Sequence, residues 1–249
     1  ASKGSGPGIA VWATPTIDVK RKLLYIGAGN NYAAPAGELG DSMLAIHYET
    51  GKLAWSRQFT PGDIFVIGGA AGPDFDIGST ANLFTADGRE SVGIGVKSGT
   101  YFALDRDTGM VQWMTMITPG SYLGGVISAS AYANGMIFVA SNETAAMKTV
   151  TVGIHAKDGM IAWRHEAPNV TYGGLAHANG VVYLGTTAGS IFALDGATGK
   201  ALWVDETPNK QPIAGSPSIS RGKLLVPWGY RWTLREGTAG TGGLTVYGL

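Results

Sequence analysis

The sequence YETGKLAW at residues 48–55 decides the fold of this chain, because a similar phrase recurs three more times. The other copies are RDTGMVQW at 106–113, AKDGMIAW at 156–163 and GATGKALW at 196–203. Each copy ends in a tryptophan, and the four tryptophans lie 58, 50 and 40 residues apart. A phrase that returns at such intervals indicates a repeat architecture, with insertions of different length in a common unit.

Two apolar segments precede each copy of the phrase and are interpreted as β-strands. The nearer segment reads SMLAIHY, TYFALD, VTVGIHA or SIFALD, and the farther one reads KLLYIGAG, ESVGIGVK, MIFVAS or VVYLGT. Their alternation and their β-branched and aromatic residues favour strands. The glycine after Thr or Asp supplies the positive φ of a tight hairpin. The tryptophan after the turn is interpreted as an outer-strand residue that packs between neighbouring sheets.

This repeated order of strands, glycine turn and tryptophan predicts an all-β chain. The chain is expected to form a β-propeller of four-stranded blades within a single domain over residues 1–249. The five expected blades lie near 8–59, 76–118, 124–166, 172–206 and 212–249. The fifth blade lacks the turn and the Trp strand. Two alternatives follow: the chain is part of a larger propeller, or it is a closed five-bladed ring with an incomplete last blade.

The composition argues against several classes of function. The chain has 249 residues, of which 45% are hydrophobic, so it can bury a large core. Its formal net charge is zero and it has no long basic run, so no nucleic-acid partner is expected. No apolar run approaches the roughly 20 residues of a membrane-spanning helix. With no cysteine, the chain has no disulfide and no thiolate metal site.

Three segments, taken in order with the repeat, resemble the quinoprotein alcohol dehydrogenases. They are LLYIGAGNNYAAP at 23–35, GPDFDIGS at 72–79 and GVKSGTYFALDRDTG at 95–109. The segment PDFDIGSTANLF is most similar to the polyvinyl-alcohol-dehydrogenase-like branch of this family. The resemblance implies an eight-bladed propeller that binds pyrroloquinoline quinone (PQQ) and Ca²⁺, of which this chain matches about the last five blades. It also implies a periplasmic or secreted protein.

Asn30 and Asp76 match the metal ligands of that family. A hard cation takes amide and carboxylate oxygens, so these residue types suit Ca²⁺. Asp76 also matches the catalytic base, which accepts the proton of the alcohol. Lanthanide-dependent relatives carry a further Asp two residues later, where this chain has Gly78, which indicates Ca²⁺. The alternative for Asn30 is a left-handed turn, and an Asx-turn is the favoured interpretation of Asp74.

Lys97 and Trp12 match two further positions of the family. Lys97, in GVKSG, corresponds to a cation that bonds the quinone oxygens and lies near the base, where it favours developing negative charge. The alternative is a solvent-exposed hairpin lysine. Trp12 corresponds to the tryptophan that stacks under the flat cofactor, and its alternative is one more blade-packing residue. Three looser matches near the cofactor carboxylates are Tyr172, Arg231 and Trp232.

These matches predict a PQQ- and Ca²⁺-dependent oxidation of an alcohol, with Asp76 as base and hydride transfer to the quinone. The alcohol is the expected substrate and a separate cytochrome c-type protein the expected electron acceptor. The family's calcium-binding Glu has no counterpart in residues 1–249, so an incomplete site is expected in this chain alone, to be completed by the rest of the propeller or a second copy. The competing hypotheses are a non-enzymatic scaffold or binding module and an inactive propeller fragment.

Overall fold

A computed structural model describes residues 8–69, 72–229 and 242–248 of the chain, and these residues form nineteen strands in five antiparallel sheets. The first sheet contains β1 (Thr16–Asp18), β2 (Leu23–Gly27), β3 (Ser42–His47) and β4 (Leu53–Gln58). The second contains β5 (Asn82–Ala86), β6 (Arg89–Gly95), β7 (Thr100–Asp105) and β8 (Val111–Met116). The third contains β9 (Ala131–Ala133), β10 (Met136–Glu143), β11 (Lys148–His155) and β12 (Ile161–Pro168).

The last two sheets follow the same order along the chain. The fourth contains β13 (Ala176–Ala178), β14 (Val181–Gly185), β15 (Ser190–Asp195) and β16 (Ala201–Glu206). The fifth contains β17 (Ser218–Ser220), β18 (Lys223–Trp228) and β19 (Gly243–Gly248). Two short 3₁₀ turns lie at Thr144–Ala146 and Pro208–Lys210. Four four-stranded meanders followed by a three-stranded one confirm the prediction of an all-β chain of propeller blades.

The chain divides into two compact units. The first contains Ala1–Ile127 and Ala156–Gly159, and therefore the first two sheets and the turn between β11 and β12. The second contains Ser128–His155 and Met160–Leu249, and therefore the last three sheets. Their cores are built alike: Tyr25, Met43 and Ile94 are fully buried in the first unit. Leu184 and Leu194 are fully buried in the second.

The turn glycine of each repeated phrase adopts the predicted left-handed conformation. Gly51, Gly109, Gly159 and Gly199 have φ between +67° and +78°. Such values are easy for glycine and strained for residues with a Cβ. These glycines therefore close the hairpins between the third and fourth strands of the four-stranded sheets.

The tryptophan of one repeat packs on the turn of the next. In the first unit, Trp55 Nε1 donates a 3.0 Å hydrogen bond to the carbonyl of Arg106, and a Cβ on Gly109 would lie 2.5 Å from the indole. In the second unit, Trp163 Nε1 donates a 2.9 Å hydrogen bond to the carbonyl of Gly196 and its ring covers Gly199 in the same way. The turn glycine thus closes its own hairpin and also provides the surface on which the tryptophan of the preceding sheet packs. The predicted packing role of these tryptophans is confirmed.

A small residue faces each repeat tryptophan across the strands. Trp55 pairs with Ala45 and Trp163 with Gly153, and the register of the ladder shifts immediately after each of these partners. The same pairing and shift recur at Ala103–Trp113 and Ala193–Trp203. Because a β-bulge re-aims the strand that carries it, the recurring shift sets the direction in which each indole points.

No helix in the described part of the chain is long and apolar enough to cross a membrane.

Candidate functional site

A buried ion-paired cluster lies in the first unit, beside the loop that follows β2. Lys97 Nζ lies 2.7 Å from Asp74 Oδ2 and 2.8 Å from Asp76 Oδ2. All three side chains are buried. The second oxygen of Asp76 accepts a 2.8 Å hydrogen bond from the backbone N–H of Asn30. The structure therefore brings together Asn30, Asp76 and Lys97, which sequence reasoning selected from three separate segments.

Asn30 points its amide nitrogen into the protein and leaves its amide oxygen available. Its Nδ2 donates to the carbonyls of Asn31, at 2.7 Å, and Phe65, at 2.9 Å. Among the described residues, no hydrogen-bond donor pairs with Asn30 Oδ1. Asn30 does not have a positive φ, so the left-handed turn considered as its alternative role is not what this residue provides.

Asp74 combines two roles, of which the sequence indicated only one. Its φ of +57° agrees with the turn-forming interpretation. Its carboxylate, however, pairs with Lys97 and makes it a member of the buried cluster. Burial raises the pKa of Asp74 to about 6, while the Lys97 ammonium acts in the opposite direction. Lys97 is equally well buried, so the solvent-exposed hairpin lysine considered for this position is wrong.

Glycines give the cluster its close contacts. A Cβ on Gly29 would lie 2.5 Å from Asp76 Oδ1, so only glycine lets this carboxylate approach the backbone. A Cβ on Gly78 would lie 1.8 Å from the Trp12 ring, which therefore rests directly against that glycine. Trp12 is 47% exposed, so the ring keeps an open surface. The backbone N–H of Gly29 also donates 2.8 Å to the Ala10 carbonyl, which ties the Trp12 segment to the cluster.

Two further aspartates near the cluster were missed by sequence reasoning. Asp41 and Asp63 are both buried, and burial raises the pKa of Asp41 to about 8, with added repulsion from Asp63, Asp76 and Asp74. Neither residue lies in a phrase that a motif could select. The sequence marks them only by their neighbours. Asp41 follows a glycine directly before β3, and Asp63 follows the pair Pro61–Gly62.

The donor set at the cluster suits a hard cation but is small. Asn30 offers an amide oxygen and Asp76 a carboxylate, the ligand types that Ca²⁺ takes. Within residues 8–69, 72–229 and 242–248, no three His, Asp or Glu side chains are grouped so that they could hold a metal ion. Asn30 and Asp76 thus present two oxygen ligands of the type that Ca²⁺ takes, and their role in metal binding stays a prediction.

Of the three remaining candidate residues, the structure describes one. Tyr172 belongs to the second unit, where it lines a cavity of about 410 Å³ with Pro227 and Trp228. Arg231 and Trp232 lie outside the described residues, so their predicted roles near the cofactor carboxylates stay predictions.

Comparison with known proteins places the chain in a family. Residues 2–119 match the family described as glucose/ethanol/alcohol dehydrogenase, beta-propeller domain. Residues 97–231 match the related family described as outer membrane protein assembly factor BamB. The chain is 32% identical over 264 aligned residues to a polyvinylalcohol dehydrogenase of Pseudomonas sp, covering 90% of this chain and 41% of that protein. The alignment thus spans about two fifths of the length of this relative.

Solved structures share the propeller fold of this chain. A quinohemoprotein alcohol dehydrogenase from Pseudomonas putida superposes with a TM-score of 0.71 at 17% identity, over 88% of this chain and 44% of that one. BamB from Moraxella catarrhalis superposes with a TM-score of 0.59 at 16% identity, over 89% of this chain and 57% of that one. The chain belongs to the quinoprotein alcohol dehydrogenase family of β-propellers. Within that family it falls in the polyvinyl-alcohol-dehydrogenase-like branch, as the sequence predicted.

Proposed function

We propose that this chain forms part of a PQQ- and Ca²⁺-dependent dehydrogenase that oxidises an alcohol, polymeric or secondary, to a carbonyl compound. The observation that carries the proposal is the buried convergence of Asn30, Asp76 and Lys97 beside the half-exposed Trp12. The relatives named polyvinylalcohol dehydrogenase and quinohemoprotein alcohol dehydrogenase support it. We further propose a periplasmic or secreted location and a cytochrome c-type electron acceptor.

In this proposal, Asn30 Oδ1 and the Asp76 carboxylate hold Ca²⁺. Both are oxygen ligands, and the Asp76 side chain accepts hydrogen bonds from the Asn30 N–H and the Lys97 ammonium. When bound, PQQ supplies the two-electron acceptor and Ca²⁺ the Lewis acid. The open surface of Trp12 offers a flat apolar platform for a conjugated ring. Ca²⁺ takes six to eight oxygen ligands, so backbone carbonyls, water or the rest of the propeller would supply the others.

Asp76 then accepts the hydroxyl proton of the alcohol. The Gly29 contact and the Asn30 hydrogen bond fix this carboxylate, so that little reorganisation is needed when the proton arrives. Lys97 holds one oxygen of Asp76 and would stabilise negative charge that develops beside it. Because burial of these groups excludes water, such electrostatic interactions are stronger than they would be in solvent.

The test is retention of PQQ and reduction of an artificial acceptor by the protein that contains this chain. We expect wild type to retain PQQ in the presence of Ca²⁺ after gel filtration and to oxidise a secondary alcohol. Asp76→Asn should retain the fold and lose about 10²–10⁴-fold in rate, the usual contribution of a general base. Asp18→Asn is the matched control, because Asp18 is buried in the same unit but pairs with Arg21 and Arg106. Equal turnover by the Asp76 variant would rule out the base.

A second candidate is a non-enzymatic binding module. It is favoured by the match of residues 97–231 to the BamB family, which covers more of the chain than the dehydrogenase match does. This candidate predicts no saturable binding of PQQ by the wild-type protein at any Ca²⁺ concentration. Binding that is lost on Trp12→Ala would exclude it.

A further inference from the structure

We infer that Asp41 and Asp63 form a cation site of their own in the first unit, one that takes a hard divalent cation such as Ca²⁺ without using Asn30 or Asp76. The inference rests on where the two side chains lie, on their missing partners and on the space beside them. It does not depend on the proposed dehydrogenase activity.

Backbone hydrogen bonds hold the two aspartates to one short segment. The N–H of Asp41 donates to the carbonyl of Gly29 at 2.9 Å, and the carbonyl of Asp63 accepts from the N–H of Asn31 at 3.3 Å. Their attachment points are thus two residues apart along the chain. Asp41 is fixed from its other side as well, since its carbonyl accepts a 2.9 Å hydrogen bond from the N–H of Phe59.

The carboxylates lack the partners that buried charges require. Asp41 is 1% exposed, and neither of its side-chain oxygens has a hydrogen-bond partner in the described structure. Asp63 is 3% exposed; its Oδ2 accepts from the N–H of Phe75 at 2.9 Å, whereas its Oδ1 has no partner. An ionised carboxylate removed from water without compensation is very costly, so these three oxygens require either a proton or a cation.

The neighbouring charges cannot provide that compensation. Lys97 is the one buried Lys or Arg among the described residues, and its ammonium already bonds Asp74 and Asp76. Around Asp41, the repulsion from Asp63, Asp76 and Asp74 outweighs the attraction of Lys97. Negative charge is therefore in excess at this place, and a divalent cation would balance Asp41 and Asp63.

A cradle of oxygens without a side chain in it lies beside Asp63. A Cβ placed on Gly72 would lie 2.2 Å from Asp63 Oδ1 and 2.7 Å from the carbonyl oxygen of Ile64. Both oxygens therefore face the space that any side chain at position 72 would fill. Carboxylate and backbone carbonyl oxygens are ligands of a hard cation, and Ca²⁺ tolerates the irregular geometry that such a mixed set provides.

The experiment is a calorimetric titration of the chelator-treated protein with CaCl₂, repeated as a thermal-unfolding series. We expect saturable binding and a rise in Tm for wild type. Asp41→Asn should weaken Ca²⁺ binding by about tenfold or more, because it removes a charged ligand. Gly72→Ala should do the same while keeping both carboxylates, since it fills the cradle. Gly72 does not have a left-handed φ, but its new Cβ must displace the Ile64 carbonyl; Asp63→Asn, which keeps an acceptor for the Phe75 N–H, is therefore the further variant if either substitution fails to fold.

Two controls separate this site from its neighbours. Asp18→Asn removes an equally buried carboxylate that already has arginine partners, and should leave the calcium affinity unchanged. Asp76→Asn should leave a Ca²⁺ equivalent that remains sensitive to Asp41→Asn, whereas loss of all binding in Asp76→Asn would overturn a separate site. Absence of Ca²⁺ binding by wild type, or unchanged affinity in both Asp41→Asn and Gly72→Ala, would overturn the inference outright.

Discussion

The two units are built from the same sheets but bury different chemistry. Every buried charged side chain of the described residues belongs to the first unit, and the second unit buries only Ser, Thr and Asn among its polar side chains. The buried charged residues are Asp18, Asp41, Asp63, Asp74, Asp76 and Lys97. Burying charge costs stability unless it is paired, so an arrangement confined to one unit points to a role beyond folding.

One pair of equivalent positions makes the difference concrete. Lys97 lies four residues after Gly93, which pairs with Ala103 opposite a repeat tryptophan. Asn142 lies four residues after Phe138, which pairs with Gly153 in the same way. At this position the first unit has an ion-paired ammonium and the second has a neutral amide.

The amide of Asn142 closes a neutral network. Its Oδ1 accepts from the Thr171 N–H and from Thr149 Oγ1, and its Nδ2 donates to the Thr171 carbonyl, all at 2.9 Å. Equivalent positions of two blades can therefore hold either a buried ion pair or a neutral hydrogen-bond network. The blade fold thus does not require the buried charges of the first unit.

The largest expected effect is that of Lys97→Met. It leaves the carboxylates of Asp74 and Asp76 buried without their cation, which should lower the free energy of unfolding by about 3–5 kcal/mol. Urea denaturation at pH 7 measures the loss. Lys22→Met is the control, since Lys22 pairs with Glu49 at the surface and should cost less than about 1 kcal/mol. Equal losses in the two variants would contradict the buried character of the cluster.

The second expected effect is an opposite pH dependence of the two units, measured without divalent cations. The pKa values of Asp41 and Asp74 are raised to about 8 and about 6, so the folded first unit binds more protons than the unfolded chain above pH 4. Its stability should fall as the pH rises from 4 to 8. Burial lowers the pKa of His165 and His177, so the second unit should lose stability as the pH falls below 6.5.

Hydrogen exchange read by mass spectrometry, corrected for intrinsic rates, follows each unit separately. Asp41→Asn should make the stability of the first unit less dependent on pH and leave the pH dependence of the second unit unchanged. A common slope in both units would contradict the assignment of the titrating groups.

A smaller effect is expected from Asn142→Leu in the second unit. The apolar side chain leaves the N–H and carbonyl of Thr171 without their side-chain partner, which should cost about 1–3 kcal/mol. This substitution leaves no buried charge without a partner. The loss of unfolding free energy should therefore be the same at pH 5 and pH 8, unlike the loss caused by Lys97→Met. Denaturation at both pH values is the measurement, and a loss that varies with pH would argue against a neutral network.

The smallest effect tests what the units share. Gly51 in the first unit and Gly222 in the second both have a φ of +69°, and a Cβ on either would meet nothing within 4 Å. Substitution by alanine should therefore cost only the backbone strain, about 1–2 kcal/mol, and the same in both. Gly109→Ala should cost more than Gly51→Ala, because its Cβ would also meet Trp55. Unequal costs at Gly51 and Gly222 would show that the scaffolds differ.

The fold could be predicted because its determinants are local. The glycine turn, the tryptophan after it and the two preceding strands all lie within one repeat, so strand order followed from the spacing of the phrases. Asn30, Asp76 and Lys97 could be selected because the three segments that carry them resemble the quinoprotein alcohol dehydrogenases. Their roles in metal binding and catalysis stay predictions.

Other parts of the site could not be read from the sequence. Asp41 and Asp63 reach the segment 29–31 through backbone hydrogen bonds from long connections, and no periodicity records such contacts. The double role of Asp74 was hidden for a related reason. A left-handed aspartate is an ordinary turn residue, and only the position of Lys97, 23 residues later, turns its carboxylate into a partner.

The first three repeat tryptophans each pack on the turn glycine of the next phrase, and this contact has a consequence for how such a chain can lengthen. The contact fixes every phrase against the one before it, yet the intervals of 58, 50 and 40 residues between tryptophans show that the connections are free to vary. Growth by duplication of whole repeats preserves every such contact, whereas an insertion between a turn glycine and its tryptophan breaks one. Long loops that carry aspartates toward a neighbouring strand can therefore be accommodated without changing the sheets, and the segment between β4 and β5, which carries Asp63, is such a loop.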